Sequence, residues 1–152
     1  MDTFMKEADS ASPSINPNTH KKITYTPIGI IHSPFKELAG IPKQPEMGHG
    51  VEGMIEVSPE YLEGLEHIEK FRFIKLIYHL HKSRGFELKI RQTGEGQLRG
   101  VFSTRAPDRP NPIGVSVVRL IRVEGAGIYI RDLDILDGTP LLDIKPYMAR
   151  GN

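Results

Sequence analysis

The stretch FRFIKLIYHLHK, residues 71–82, places apolar side chains at alternate positions. Ile74, Leu76, Tyr78 and Leu80 fall on one face of an extended chain, while the other face mixes apolar and histidine side chains. A period of two with apolar residues on both faces predicts a β-strand that is covered on both sides.

Similar apolar runs recur along the chain, separated by residues that favour turns. We expect further strands at residues 25–31, 52–57, 86–90, 98–102, 113–123 and 128–136, and a turn at 137–140. The 15 glycines and 12 prolines favour many short strands over a helix bundle. The sequence therefore predicts a mainly β fold: a small antiparallel single-sheeted β-barrel of six to eight strands with one short helix.

The helix is expected to begin at Ser58. Ser58 can cap the helix, Pro59 suits the first helical position, and Glu60 favours the positive end of the helix dipole. An apolar stripe at helical spacing predicts that the helix packs on the core; it consists of Tyr61, Leu62, Leu65 and Ile68.

Composition limits the class of protein. The chain has 152 residues, which suits one domain, and we expect a disordered polar tail at residues 1–22 followed by a barrel domain at 23–152. No apolar run approaches the roughly 20 residues of a membrane span, and no secretory signal is visible, so we expect a cytoplasmic protein. The absence of cysteine excludes disulfides. Because the net charge is only +1, an RNA partner would have to meet a local basic patch.

The loop FSTRAPDRPNPIG, residues 102–114, is the strongest candidate for function. Its three prolines stiffen the backbone, and it presents Arg105 and Arg109. A rigid cationic loop can bind a carboxylate, a phosphate or a nucleotide edge. The structural alternative is a turn with solvated arginines.

Other candidate sites are weaker. His79 and His81 leave one face of a strand, but no other group has metal-ligand spacing, so we predict packed histidines and no metal. Gly94-Glu-Gly96 precedes a strand, which disfavours a Rossmann phosphate loop. Near the end of a strand, Asp132, Asp134 and Asp137 can act in acid–base chemistry or accept hydrogen bonds from a ribose or an amine. The equal alternative is a polar barrel rim paired with the arginines.

Four stretches of this chain resemble the TsaA-like or TrmO-type proteins. They are IGIIHSPFKE at 28–37, PKQ at 42–44, the loop at 102–114 and DILDGTPLLDIKPY at 134–147, within a resemblance that spans residues 24–147. The resemblance implies a small β-barrel that binds S-adenosylmethionine and works as a homodimer with the cofactor near the subunit interface. It also implies methylation of N6 of threonylcarbamoyl-modified adenosine 37 in threonine tRNA, as in bacterial members.

The resemblance further implies positions for the cofactor and the RNA. The cofactor positions fall on Gln44, Pro45, Glu46, Met47, His81, Lys82, Arg105, Asp134, Ile135, Leu136 and Asp137. Arg105 would pair with the methionine carboxylate or with a tRNA phosphate. The catalytic candidates, as acceptors that orient the amine N–H, are Asp137 and Tyr147, and RNA phosphates would meet Lys43, Arg84, Arg109 and Lys145. Two alternatives stay open: a non-catalytic cofactor- or RNA-binding regulator, and a methyltransferase that acts on a small-molecule acceptor.

Overall fold

The computed structural model describes residues 21–41, 49–91 and 96–148. These residues form β1 Gly29–His32, β2 Glu52–Val57, β3 Phe73–His79, β4 Lys89–Arg91, β5 Leu98–Gly100, β6 Ile113–Glu124, β7 Gly127–Arg131 and β8 Thr139–Tyr147. Six strands close into an antiparallel barrel in the order β1–β2–β7–β6–β3–β8, with β8 paired to both β3 and β1. Strands β4 and β5 form a separate hairpin. The predicted single-sheeted antiparallel β-barrel is confirmed.

Alternate side chains of the strands fill the barrel. On β3, Ile74, Leu76 and Tyr78 are buried, as the alternation predicted. They pack in one core with Ile128 and Ile130 of β7. Burial of such a side chain stabilises the fold by about 1.5–3 kcal/mol. Hydrophobic alternation therefore sets which face of each strand turns inward.

The helix predicted to begin at Ser58 is a 3₁₀ helix over Pro59–Leu65. Pro59 occupies its first turn, but the Ser58 side chain makes no capping hydrogen bond. Leu62, Leu65 and Ile68 pack against the core as the stripe predicted, while Tyr61 is exposed. His67 adopts a left-handed backbone with φ 69°, which separates this helix from a second turn of 3₁₀ helix at Ile68–Lys70.

Several predicted boundaries differ from the structure, among them those of β3, β4 and β5, which cover residues 73–79, 89–91 and 98–100 where 71–82, 86–90 and 98–102 were predicted. Strand β1 begins at Gly29, not at residue 25. Strand β7 ends at Arg131 because Asp132 turns the backbone with φ 68°, so Asp132 and Asp134 do not continue the face of the β7 isoleucines. The predicted turn is confined to Asp137–Gly138, and β8 follows directly from Thr139.

The predicted tail cannot be compared in full, because residues 1–20 lie outside the described part of the chain. The division into a tail and a barrel domain stays a prediction. Within residues 21–41, 49–91 and 96–148, no helix is long and apolar enough to cross a membrane.

Candidate functional site

A chain of polar side chains links the 102–114 loop to the barrel interior. Arg105 donates from Nη2 to Oδ2 of Asp134 at 2.9 Å, and Ser116 donates from Oγ to Oδ1 of the same carboxylate at 2.7 Å. The hydroxyl of Tyr78 lies 2.7 Å from Ser116 Oγ. Since a carboxylate only accepts, Ser116 donates to Asp134 and is left to accept from Tyr78. The Asp134 side chain, 9% exposed, is therefore held in one orientation.

Burial keeps the Tyr78 phenol protonated at the inner end of this series of hydrogen-bonded side chains. Desolvation raises the pKa of Tyr78 to about 12, more than its hydrogen bond with Ser116 lowers it. The phenol is neutral at physiological pH and remains a hydrogen-bond donor. Gly114 makes room for the ring, because a Cβ at that position would lie 2.2 Å from Cε2 of Tyr78. The glycine that ends the loop motif thus allows the tyrosine to reach Ser116.

A cavity of about 400 Å³ opens beside these hydrogen-bonded side chains. Its polar lining is Arg105, Ser116, Asp132 and Asp134, and its apolar lining is Val115 and Val117 on the outer face of β6. A guanidinium, two carboxylates and two apolar side chains thus surround one space. Such a lining suits a ligand that carries both charges together with an apolar ring.

The 102–114 loop is held in shape by its own backbone and by the turn after β3. Arg109 donates from Nη1 to the carbonyl oxygens of Thr104 and Ala106 at 2.9 and 3.0 Å. The backbone N–H of Arg84 donates to Oδ1 of Asp108 at 2.9 Å. Arg109, expected to contact RNA, is therefore engaged inside the loop.

The turn that contains His81 and Lys82 lies beside the same loop, because Leu80 N donates to the carbonyl of Pro112 at 2.7 Å. Partial burial, Lys82 and His79 lower the pKa of His81, which favours the neutral imidazole. Within the described residues, no group of three His, Cys, Asp or Glu side chains could hold a metal ion.

The cofactor positions Gln44, Pro45, Glu46 and Met47, and the RNA position Lys43, lie outside the described residues. The described chain resumes at His49 and Gly50, however, and both contact Asp132. The Gly50 N–H donates to Oδ1 of Asp132, and His49 Nδ1 lies 3.6 Å from the same oxygen. The first described residues after position 48 therefore contact a residue that lines the cavity.

Asp137 faces a different set of partners from Asp134. It accepts from Lys36 Nζ at 2.8 Å and from the backbone N–H of Ser33 at 2.9 Å, and these hydrogen bonds lower its pKa. Its side chain lines a second cavity of about 510 Å³ with Met54, Tyr129 and others. The structure therefore separates two carboxylates that the sequence placed together.

The remaining positions have internal contacts. Ile135 and Leu136 are buried, and their carbonyl oxygens accept from Ser33 Oγ at 2.5 Å and Thr139 Oγ1 at 2.6 Å. Lys145 pairs with Asp143 at 3.1 Å. Tyr147 ends β8, beneath Lys75, which lies 5.8 Å from the ring centroid.

Comparisons with known proteins identify relatives of this chain. A model of the tRNA-methyltransferase O N-terminal domain matches residues 30–151. The chain belongs to the tRNA-methyltransferase O family. A probable S-adenosyl-L-methionine-binding protein of Pyrococcus abyssi is 56% identical over 126 residues, which cover 83% of this chain and 68% of that protein.

Other members of the tRNA-methyltransferase O family are more distant. The tRNA (adenine(37)-N6)-methyltransferase of Mus musculus is 35% identical over 130 residues, which cover 81% of this chain and 30% of that protein. The crystal structure of TrmO from Pseudomonas aeruginosa matches with a TM-score of 0.69 at 38% identity, covering 84% of this chain and 57% of that one. The chain thus spans a little more than half the length of that solved structure.

Sequence reasoning missed the inner half of the site in this tRNA-methyltransferase O family member. Tyr78 and Ser116 were not chosen, although Ser116 is the one hydroxyl in the apolar run IGVSVV at 113–118. A single hydroxyl in a strand that otherwise reads as core needs a buried partner, and that need is a usable signal.

Proposed function

We propose that this protein transfers a methyl group from S-adenosylmethionine to N6 of threonylcarbamoyl-modified adenosine 37 in a tRNA. The observation that carries the proposal is the cavity beside Arg105 and Asp134. Its walls include residues from two stretches that resemble the family, the 102–114 loop and residues 134–147. Relatives named as S-adenosyl-L-methionine-binding proteins and as a tRNA (adenine(37)-N6)-methyltransferase support the cofactor and the acceptor. A cytoplasmic location, proposed from the sequence, is consistent with a tRNA acceptor.

The residues of the cavity fit this cofactor. S-adenosylmethionine has a carboxylate, two cationic groups, a ribose and an adenine. Arg105 uses one nitrogen on Asp134, and its half-exposed guanidinium keeps further N–H donors for the carboxylate. Asp132 and Asp134 favour the cationic groups or the ribose hydroxyls, and the valines of β6 offer an apolar wall for adenine. About 400 Å³ lies within the usual size of small-ligand sites.

The residues of the protein contribute to the reaction by orienting the reactants and by placing charged groups beside them. When bound, the cofactor supplies an electrophilic methyl group on a sulfonium. Arg105, Ser116 and Asp134 hold each other in one geometry, so the cavity is preorganised for a reaction that depends on alignment. A carboxylate that accepts from the amine N–H strengthens the amine as a nucleophile. Asp137, the sequence-based candidate for this role, is kept ionised at neutral pH by its lowered pKa, but it lines the second cavity and not the one beside Asp134, so the structure itself does not support the assignment.

Tyr147 cannot serve the same amine as Asp137 within one chain. The two residues lie at opposite ends of β8, and its nine residues, Thr139–Tyr147, span about 27 Å at roughly 3.4 Å per residue. If Tyr147 acts at all, it acts near the other end of the barrel.

We further propose that the protein is a homodimer and that the dimer covers the cavity. Ile113, Val115 and Val117 form an apolar strip on the outer face of β6, with 41%, 45% and 38% of each residue exposed. Two of these three side chains also line the cavity. A second copy seated on the strip would remove apolar surface from water and close one side of the cavity.

Calorimetry with S-adenosylmethionine tests the cofactor site. We expect the protein to bind the cofactor and Arg105→Ala to weaken binding roughly ten- to a hundred-fold, as expected for a lost charge-assisted hydrogen bond. Arg122→Ala is a matched control, because Arg122 is also half exposed and paired with a carboxylate, Glu124, but does not line this cavity. Equal affinities of the two variants would refute the role of Arg105, and unfolding of Arg105→Ala would indicate a structural one.

Mass spectrometry of tRNA nucleosides from a deletion strain tests the acceptor. We expect the methylated form of threonylcarbamoyladenosine to disappear and to return when the gene is restored. Persistence of the methylated nucleoside without a second enzyme contradicts the proposed reaction. Cofactor binding without methyl transfer would favour the binding protein or the small-molecule methyltransferase instead.

A further inference from the structure

The charges of this chain are unevenly distributed. Residues 82–105 contain six lysines and arginines against two acidic residues, a net charge of +4. The rest of the chain contains fourteen against seventeen, a net charge of −3. A protein of almost zero net charge thus carries one basic segment on an acidic body. An anionic partner is attracted to that segment and repelled by the remainder.

This segment, which we call the basic arm, is described at residues 82–91 and 96–105. It contains the β4–β5 hairpin, which pairs with no strand of the barrel. At the base of the hairpin, Val101 is buried and donates from its backbone N–H to the carbonyl of Leu88 at 2.8 Å, which joins the two sides of the arm. Lys89 and Arg91 are exposed on one face of the hairpin. Both side chains are therefore open to solvent.

Three cations of the arm, Lys82, Lys89 and Arg91, differ from several on the barrel in having no carboxylate close by in the described part of the chain, whereas Arg105 is paired with Asp134. In the described part of the chain, no carboxylate lies within 4.0 Å of the side-chain nitrogens of Lys82, Lys89 or Arg91. On the barrel, by contrast, Lys36 lies 2.8 Å from Asp137 and Arg131 lies 2.7 Å from Glu52, and Arg122 and Lys145 are also paired. Within the described residues, the charges of Lys82, Lys89 and Arg91 therefore remain available to a partner.

An exposed aromatic ring lies where the arm joins the 102–114 loop. Phe102 is 76% exposed, although its neighbour Val101 is buried. The turn that presents it is fixed, because Ser103 Oγ donates to the carbonyl of Gly100 at 2.7 Å and Thr104 Oγ1 donates to that of Val101 at 2.8 Å. A held aromatic ring among cations is the combination that binds unpaired nucleotides, by stacking on bases and by contact with phosphates.

We infer that the basic arm docks the RNA: Lys89 and Arg91 contact phosphates of a single-stranded loop, and Phe102 stacks on an unpaired base. The inference rests on the proposed tRNA substrate. It moves RNA contact away from Arg109 and Lys145, whose side chains are engaged within the protein. Phe102 lies three residues from Arg105, so a base stacked there is near the cofactor cavity.

Fluorescence anisotropy with a labelled anticodon stem-loop RNA, over a series of salt concentrations, tests the phosphate contacts. Each single-strand phosphate contact contributes about 0.7 to the slope of log K against log salt. Lys89→Gln with Arg91→Gln should lower the magnitude of that slope by about 1.4 and weaken binding roughly 25-fold at about 0.1 M salt. Lys21→Gln with Lys70→Gln is the matched control, because it removes the same charge from exposed positions outside the arm. Equal losses in the two double variants would overturn the inference.

A second pair of variants tests stacking. Phe102→Ala should weaken RNA binding roughly 5- to 150-fold, the loss expected for one base stack, while Phe102→Tyr should bind nearly as wild type. Wild-type affinity in Phe102→Ala would refute the stacking contact. If the wild-type protein itself binds no RNA, the proposed substrate fails. If it binds RNA and the arm variants bind equally well, only the arm assignment fails. Circular dichroism melts of each variant exclude unfolding as the cause.

Discussion

Asp134 and Asp137 lie three residues apart in the chain, yet their carboxylates face different partners. Asp134 binds Arg105 and Ser116, and Asp137 binds Lys36 and the backbone of Ser33. The sequence predicted that these acidic residues are paired or bound to a ligand. It could not separate them, because Asp132 takes a left-handed conformation and β periodicity ends there.

The hydrogen bonds of Asp137 give a pH dependence that can be measured. Lys36 and the Ser33 N–H lower its pKa in the folded protein. Such a group adds stability above its unfolded pKa of about 3.9, and that stability is lost as pH falls through the lower folded pKa. We therefore expect Asp137→Asn to reduce Tm near neutral pH and to match wild type in strong acid. Thermal unfolding followed by circular dichroism over an acid pH series measures the difference.

Asp143→Asn is the control for this measurement. Asp143 is about half exposed and pairs with Lys145 at 3.1 Å on β8, and exposed pairs of this kind contribute little. Its Tm should stay near that of wild type throughout the series. A constant offset for Asp137→Asn, with no convergence in acid, would contradict the assigned cause.

At the scale of the element, β6 joins the loop motif to the barrel. Its first residues, Ile113 and Gly114, end the 102–114 stretch, and the next residues carry Ser116 inward and Val115 and Val117 outward. The strand itself was predicted from its apolar run. The space that Gly114 leaves for the Tyr78 ring could not be predicted in the same way. It depends on strand pairing, because Tyr78 of β3 lies opposite Gly114.

Gly114→Ala tests this close contact. The added Cβ would lie 2.2 Å from the Tyr78 ring, whose hydroxyl is held by Ser116. We expect a loss of about 1–3 kcal/mol in the free energy of unfolding, typical of overpacking, together with weaker cofactor binding. Urea unfolding and calorimetry measure the two effects. Gly100→Ala in β5 is the control, because nothing lies within 4 Å of its added Cβ, and equal effects in both variants would refute the explanation.

Strand β8 shows what a local pattern cannot reveal. The sequence predicted a turn at residues 137–140 and no strand after it. Thr139–Tyr147 form a nine-residue strand, since β1 and β3 supply hydrogen-bonding partners on both sides. Long-range pairing outweighs weak β propensity when the strand closes a barrel.

At the scale of the whole molecule, the proposed dimer decides whether the cavity is complete. Val115→Lys should abolish the dimer, because a charge in the apolar strip of β6 would be buried without a partner. Sedimentation should then give one chain of 17.1 kDa where wild type gives two. Ile30→Lys is the control, since Ile30 is 44% exposed, against 45% for Val115, on the separate strand β1. A monomeric wild-type protein would refute the dimer.

The sequence by itself determined the barrel class and the inward face of β3, and it singled out the 102–114 loop as the candidate for function. These follow from periodicity, proline content and charge, which are local properties of the chain. The tertiary structure alone decided that one hydrogen-bond network joins Tyr78, Ser116, Asp134 and Arg105, and that Asp137 lies outside this network. Those contacts join residues from different strands and loops, and their distances depend on strand register and barrel closure. No pattern along a single segment encodes that geometry.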